Sequence, residues 1–143
     1  MRRIKHLLDI NVVVALMLPE HPGFRAATEW FDPHSLDWGL CAFSQAGFLR
    51  LIASPNVGKL TVEEANQMLA ALVGRPGYRY WPIHDGWDEL VAPFRERVWG
   101  HQQIADAYLL GLAIQEGGVL VTLDKAIKHM AGPTFEKHVL VLG

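Results

Sequence analysis

Apolar residues along the chain follow two alternating patterns: short runs bounded by polar or turn residues, and longer stretches with helical spacing. The short runs at residues 4–8, 38–42, 78–81, 119–122 and 138–142 are predicted strands. Two of them, VLVT and HVLVL, lack the strict alternation of a half-exposed strand, which suits strands covered on both faces. Between them, residues 62–73 read as a helix, with Thr61 and Glu64 spaced as a capping box and Gly74 and Pro76 as its stop. Residues 105–116 keep helical spacing up to Gly117 and Gly118, where glycine can adopt the left-handed cap. Residues 24–31, 45–52 and 87–98 are further helical segments, the last kinked or broken at Pro93.

Strands separated by helices need long return connections, and such connections make neighbouring strands parallel. The expected fold class is therefore α/β: a three-layer α/β/α sandwich around a mainly parallel sheet of about five strands. In such sheets the functional crevice lies beyond the carboxyl ends of the strands. Composition adds that 143 residues, half of them hydrophobic, suffice for a single domain over 1–143 that needs no disulfide or zinc staple. The lone Cys41 has no disulfide partner, which favours a reducing, cytoplasmic setting. The opening MRRIKHLLDI is interrupted by Asp9 and Asn11, unlike a signal peptide, and no run approaches the roughly 20 apolar residues of a membrane span. A formal charge of -2 gives no protein-wide attraction to nucleic acid, so any such site is local.

Asp9 follows the first strand directly, and Asp124 lies just after the strand 119–122, so both are expected on one rim of the sheet. Asp106 stands near the start of the helix that feeds that strand. A helix returning antiparallel to the strands begins on the same rim. Each acid alone has a simpler explanation: Asp9 and Asp124 as helix caps, and Asp106 as a complement to the helix dipole. Gathered together, three unpaired carboxylates repel one another, and a divalent cation resolves the conflict. An all-oxygen set suits magnesium or manganese, which can activate water and neutralise charge on a phosphodiester.

Four strings carry these residues in order: LLDINVVVAL with Asp9 and Asn11; FSQAGFLRL with Gly47, Phe48 and Arg50; QQIADAYLLGLA with Asp106; and VLVTLDKAI with Thr122 and Asp124. In this order and spacing the chain resembles the PIN-domain ribonucleases, in particular the VapC toxins of VapBC toxin-antitoxin systems. The resemblance implies a compact α/β/α fold and a magnesium- or manganese-dependent endoribonuclease acting on structured RNA such as tRNA or ribosomal RNA. It also implies a small VapB-like antitoxin that covers the site, and a homodimer. On this resemblance Asp9, Asp106 and Asp124 match the acidic metal-binding positions, and Asn11 and Thr122 match polar positions that support them. Where many relatives have a glutamate before the GFLR string, this chain has Gln45, a neutral residue expected to face the pocket and to lower metal affinity or move a second metal position.

The basic residues form small groups: Arg2, Arg3 and Lys5; Arg75 and Arg79; Arg95 and Arg97 near His101; and Lys125, Lys128 and His129. The last follows Asp124 and is the expected phosphate-contacting rim, with Arg50 as a further RNA contact or ion-pair member. Of the five tryptophans most are expected in the core, and Trp99, upstream of Asp106, near substrate. Two other functions compete with the nuclease. One is a catalytically weakened PIN domain that binds RNA or protein without turnover; the other is a phosphatase or phosphoacceptor domain with Asp9 as nucleophile.

Overall fold

The computed structural model describes residues 3–143, so Arg2 of the first basic group lies outside the described residues. Five strands form one sheet: β1 (Lys5–Leu8), β2 (Asp37–Leu40), β3 (Tyr78–Tyr80), β4 (Val119–Thr122) and β5 (Val139–Val141). Their order is β3-β2-β1-β4-β5, and every neighbouring pair is parallel. β4 has the bounds its apolar run predicts, and the others begin and end within two residues of theirs.

The helices are α1 (Ile10–Met17), α2 (Phe24–Trp30), α3 (Ala42–Ile52), α4 (Val62–Val73), α5 (Trp87–Val91), α6 (Ile104–Gln115) and α7 (Lys125–Phe135). The capping box of α4 is formed in both directions: the Glu64 amide donates to Thr61 Oγ1 and the Thr61 amide donates to Glu64 Oε1, each at 3.0 Å. The helix read over residues 87–98 is two pieces. Pro93 offers no amide and crowds the preceding turn, so α5 ends at Val91 and Ala92–Arg97 tighten into 3-10 turns. The strand read over 38–42 stops at Leu40, because Cys41 caps α3 and Ala42 opens it, three residues earlier than the apolar spacing suggests.

Alternation along the strands divides the interior in two. Leu8, Trp38, Leu40 and Val121 pack with α1 to α4, while Leu7, Leu120 and Val139 pack with α5 to α7 and the 3-10 turns. This is the expected three-layer sandwich. On the first face α3 lies tightly against α1 at Gly47, where an added Cβ would come within 2.3 Å of Ile10 Cδ1. From β1 the chain moves outward through β2 to β3, then returns to place β4 on the other side of β1. The sheet therefore reverses its winding between β1 and β4, and a crevice opens there beyond the strand ends.

Candidate metal centre

Asp9 and Asp124 stand at that reversal point, immediately past β1 and β4. Asp9 is 3% exposed; its Oδ1 accepts the Ile10 amide at 2.7 Å and so caps α1, while its Oδ2 accepts the Thr122 hydroxyl at 2.7 Å. The same hydroxyl oxygen accepts the Asp124 amide at 3.0 Å and the Asn11 Nδ2 at 3.4 Å. Asn11 Oδ1 in turn accepts the Leu123 amide at 3.2 Å. Thr122 is thus a fully buried junction that fixes Asp9 against the loop leading to Asp124. Asp124 caps α7 by accepting the Ala126 amide at 2.9 Å. The simple capping readings of Asp9 and Asp124 are both true, and they do not compete with clustering, since each carboxylate oxygen keeps a free lone pair.

Asp106 enters from the first turn of α6. Burial, then the charges of Asp9 and Asp124, push its carboxyl up to about 7. Burial also raises Asp9, against the lowering effect of its bonds to Thr122 and Ile10, and Asp124 adds to the rise. The three acids therefore sense one another, and no cation relieves them. The ion pairs among the described residues join Arg25 to Glu29, Arg79 to Asp37 and Arg95 to Asp88, none of which touches the cluster. Among those residues no three His, Cys, Asp or Glu side chains stand close enough together to hold a metal ion as they are, so the three acids would have to draw in around one. The cluster is open, with oxygen donors only, an uncompensated negative charge and room beside it. That donor set fits a hard divalent cation such as magnesium or manganese.

Two recesses meet at Asp106. One, of about 530 Å3, is lined by Asp106 and Asp124 together with Trp99, Gly100 and the 101–103 turn. The other, of about 360 Å3, is lined by Asp9, Asn11, Asp106, His21 and apolar side chains from α1 and the α3 region. Gln45 lines neither recess. Its Nε2 donates to the Tyr78 hydroxyl at 3.2 Å, which turns the amide toward the edge strand β3 rather than the acids. Arg50, Lys125 and Lys128 are exposed, and none is in an ion pair among the described residues. Lys125 and Lys128 stand on α7 beside Asp124, and Arg50 precedes Leu51, a lining residue of the second recess.

Several contributors escaped the sequence reading. Ser44, fully buried, donates to the Leu8 carbonyl at 2.9 Å and ties α3 to the end of β1. Gln103 Oε1 accepts the amides of both Trp99 and Gly100 and shapes the rim of the larger recess. Ser44 and Gln103 stand inside two of the four strings, but their roles are visible only through long-range or turn geometry. Arg97, grouped above with surface basic residues, donates to the carbonyls of His129 and Met130 and braces α7.

The PIN-domain family model matches residues 6–133. Ribonuclease VapC39 of Mycobacterium tuberculosis is 34% identical over 128 residues, covering 87% of this chain and 92% of the relative. Ribonuclease VapC44 of the same organism is 31% identical over 132 residues, covering 91% and 93%. In fold, the chain superposes on the crystal structure of VapBC2 from Rickettsia felis bound to a promoter DNA fragment, with a TM-score of 0.69 at 13% identity over 98% of this chain and 100% of that one. It also superposes on FitAcB from Neisseria gonorrhoeae, with a TM-score of 0.61 at 23% identity over 87% and 91%. With the family match spanning most of the sequence and VapC relatives aligned along nearly their full length, the chain belongs to the PIN-domain family, among the VapC ribonucleases.

Proposed function

We propose that this chain is a magnesium- or manganese-dependent endoribonuclease, the toxin of a cytoplasmic toxin-antitoxin pair, acting on structured RNA of the tRNA or ribosomal RNA kind. The observation that carries the reading is the uncompensated trio: Asp106 held up to about 7 by burial and by Asp9 and Asp124, with no basic side chain among the described residues paired to any of them. Asp9, Asp106 and Asp124 would hold the ion. When bound, it supplies an activated water and neutralises charge developing on the phosphodiester.

The remaining work falls to the chain. Thr122 and Asn11 hold Asp9 and the 122–124 loop in one arrangement, so the carboxylates need little reordering to act. Asp106, its carboxyl pushed up to about 7, would have to give up the proton it holds below that pH in order to ligate. Lys125 and Lys128, exposed beside Asp124, would contact RNA phosphates, with Arg50 as a further contact. The proposal extends to a VapB-like antitoxin partner, which the kinship with VapC proteins and the structural neighbours VapBC2 and FitAcB support, and to a homodimeric state.

The phosphoacceptor alternative loses ground on geometry. Asp9 is almost fully buried and pinned through both oxygens, so it cannot swing out to meet a phosphorus in line, although the lone pair left on each oxygen still suits a small cation. The deciding experiment incubates purified protein with total RNA in magnesium, then in EDTA, beside Asp106→Asn. Cleavage is expected only from the parent with metal. Cleavage that survives both EDTA and Asp106→Asn would refute the mechanism, and RNA retention without turnover would favour the binding-module reading.

A further inference from the structure

Trp99 is 88% exposed, more than any other large apolar side chain among the described residues. An indole left in water forgoes the gain that burial brings, and a merely ill-packed one would also be loose. This one is held. Its Nε1 donates to the Glu96 carbonyl at 2.7 Å, and its own amide and that of Gly100 donate to Gln103 Oε1 at 2.7 and 3.2 Å. With the ring N–H consumed internally, the side chain presents its aromatic faces and no free polar edge.

Those faces border two recesses that share Trp99, Gln103, Ala126 and Met130. One continues to Asp106 and Asp124; the other, of about 500 Å3, runs past Glu96, Arg97 and His129. Space is open beside the ring at Gly100, where an added Cβ would meet nothing within 4 Å. The wall opposite belongs to α7, the helix that carries exposed Lys125 and Lys128.

We infer that Trp99 is a stacking platform for an unpaired RNA base adjoining the phosphate that a cation at the acids would bind. The inference rests on the nuclease reading and gives that site a requirement: a single-stranded nucleotide beside the cut. Stacking suits the geometry because every base has a π-face, so the ring needs no hydrogen-bonding edge. Continuity with the acid cluster makes a nucleic acid the occupant. A strand lying along this groove keeps its backbone at the acid site and beside the α7 lysines while one base turns onto the indole. A protein segment seated on Trp99 is the competing occupant.

The test uses the full chain and a short unstructured RNA. Binding is read in calcium by tryptophan fluorescence and anisotropy, and cleavage is read in magnesium, for Trp99→Phe, Trp99→Leu and Trp99→Ala. Expected are quenching of the parent by RNA, its loss in Trp99→Phe, and near-parent affinity of Trp99→Phe. Trp99→Leu and Trp99→Ala should bind roughly tenfold or more weakly, with KM raised in step and kcat within about twofold. Parent-like RNA affinity of Trp99→Leu, or absence of quenching in the parent, would overturn the inference. So would unchanged RNA constants alongside weaker self-association or weaker binding of a basic peptide, which would assign Trp99 to a protein contact. Loss of all cleavage by the parent in magnesium would instead sink the nuclease reading, while the binding arm still reports on Trp99.

Discussion

Asp106 makes the metal-free fold sensitive to pH in a stated direction. Its carboxyl ionises near 3.8 in the unfolded chain and at about 7 in the folded one, so between these values the folded state binds more protons. Stability then falls as pH rises from about 4 to 7 and stays low above that. Discounted for partial exposure, the penalty above pH 7 is on the order of 1–2 kcal/mol. Asp106→Asn should therefore raise the melting temperature in EDTA at pH 8 by a few degrees, with the gain shrinking toward pH 4. Equal melting curves at both pH values would show that the acids do not crowd. Asp9→Asn should gain less, because Asp9 accepts from both Ile10 and Thr122 and the amide must reverse its bond to the hydroxyl. The same proton governs metal binding: below about pH 7 a cation must displace it, so manganese affinity should fall by up to tenfold per pH unit, measurable by calorimetry from pH 7.5 to 5.5. A flat profile would take Asp106 out of the ligand set. At this scale the three acids were legible because each stands at a strand end or helix start. The orientation of Gln45 was not, since its partner Tyr78 lies 33 residues on, across the sheet edge.

Between elements, the joint of α3 with β3 gives Gln45 a use unlike the one the family pattern suggests. In Gln45→Glu the Tyr78 hydroxyl can donate to the new carboxylate, so manganese affinity should stay within about twofold of the parent. A severalfold tightening would mean that the side chain swings to the acids. The second joint is α7 with the Ala92–Arg97 turns. Gly132 has φ +71°, and Arg97 lies so close that an added Cβ would fall 2.8 Å from its Nε. Gly132→Ala should cost about 1–3 kcal/mol in urea unfolding, through left-handed strain and loss of the Arg97 brace. An unaltered midpoint would remove that role. The box of α4 and the break at Pro93 were legible because both act within a few residues. The break of α7 at Gly132, just before Pro133, obeys the same local rule, since glycine and proline end a helix; the Arg97 brace on His129 and Met130, from more than 30 positions upstream, was not legible.

For the molecule as a whole, alternating apolar patterns were enough to give a parallel sandwich, because local spacing sets element type and long crossovers set strand direction. Strand order was not legible, since it depends on which distant strands pair. That order is what places Asp9 and Thr122, 113 positions apart, within one hydrogen bond of each other. The separation has a consequence during synthesis. More than a hundred residues must be added after Asp9 before Thr122 exists to fix it and Asp124 to join it, so a growing chain carries no assembled acid trio.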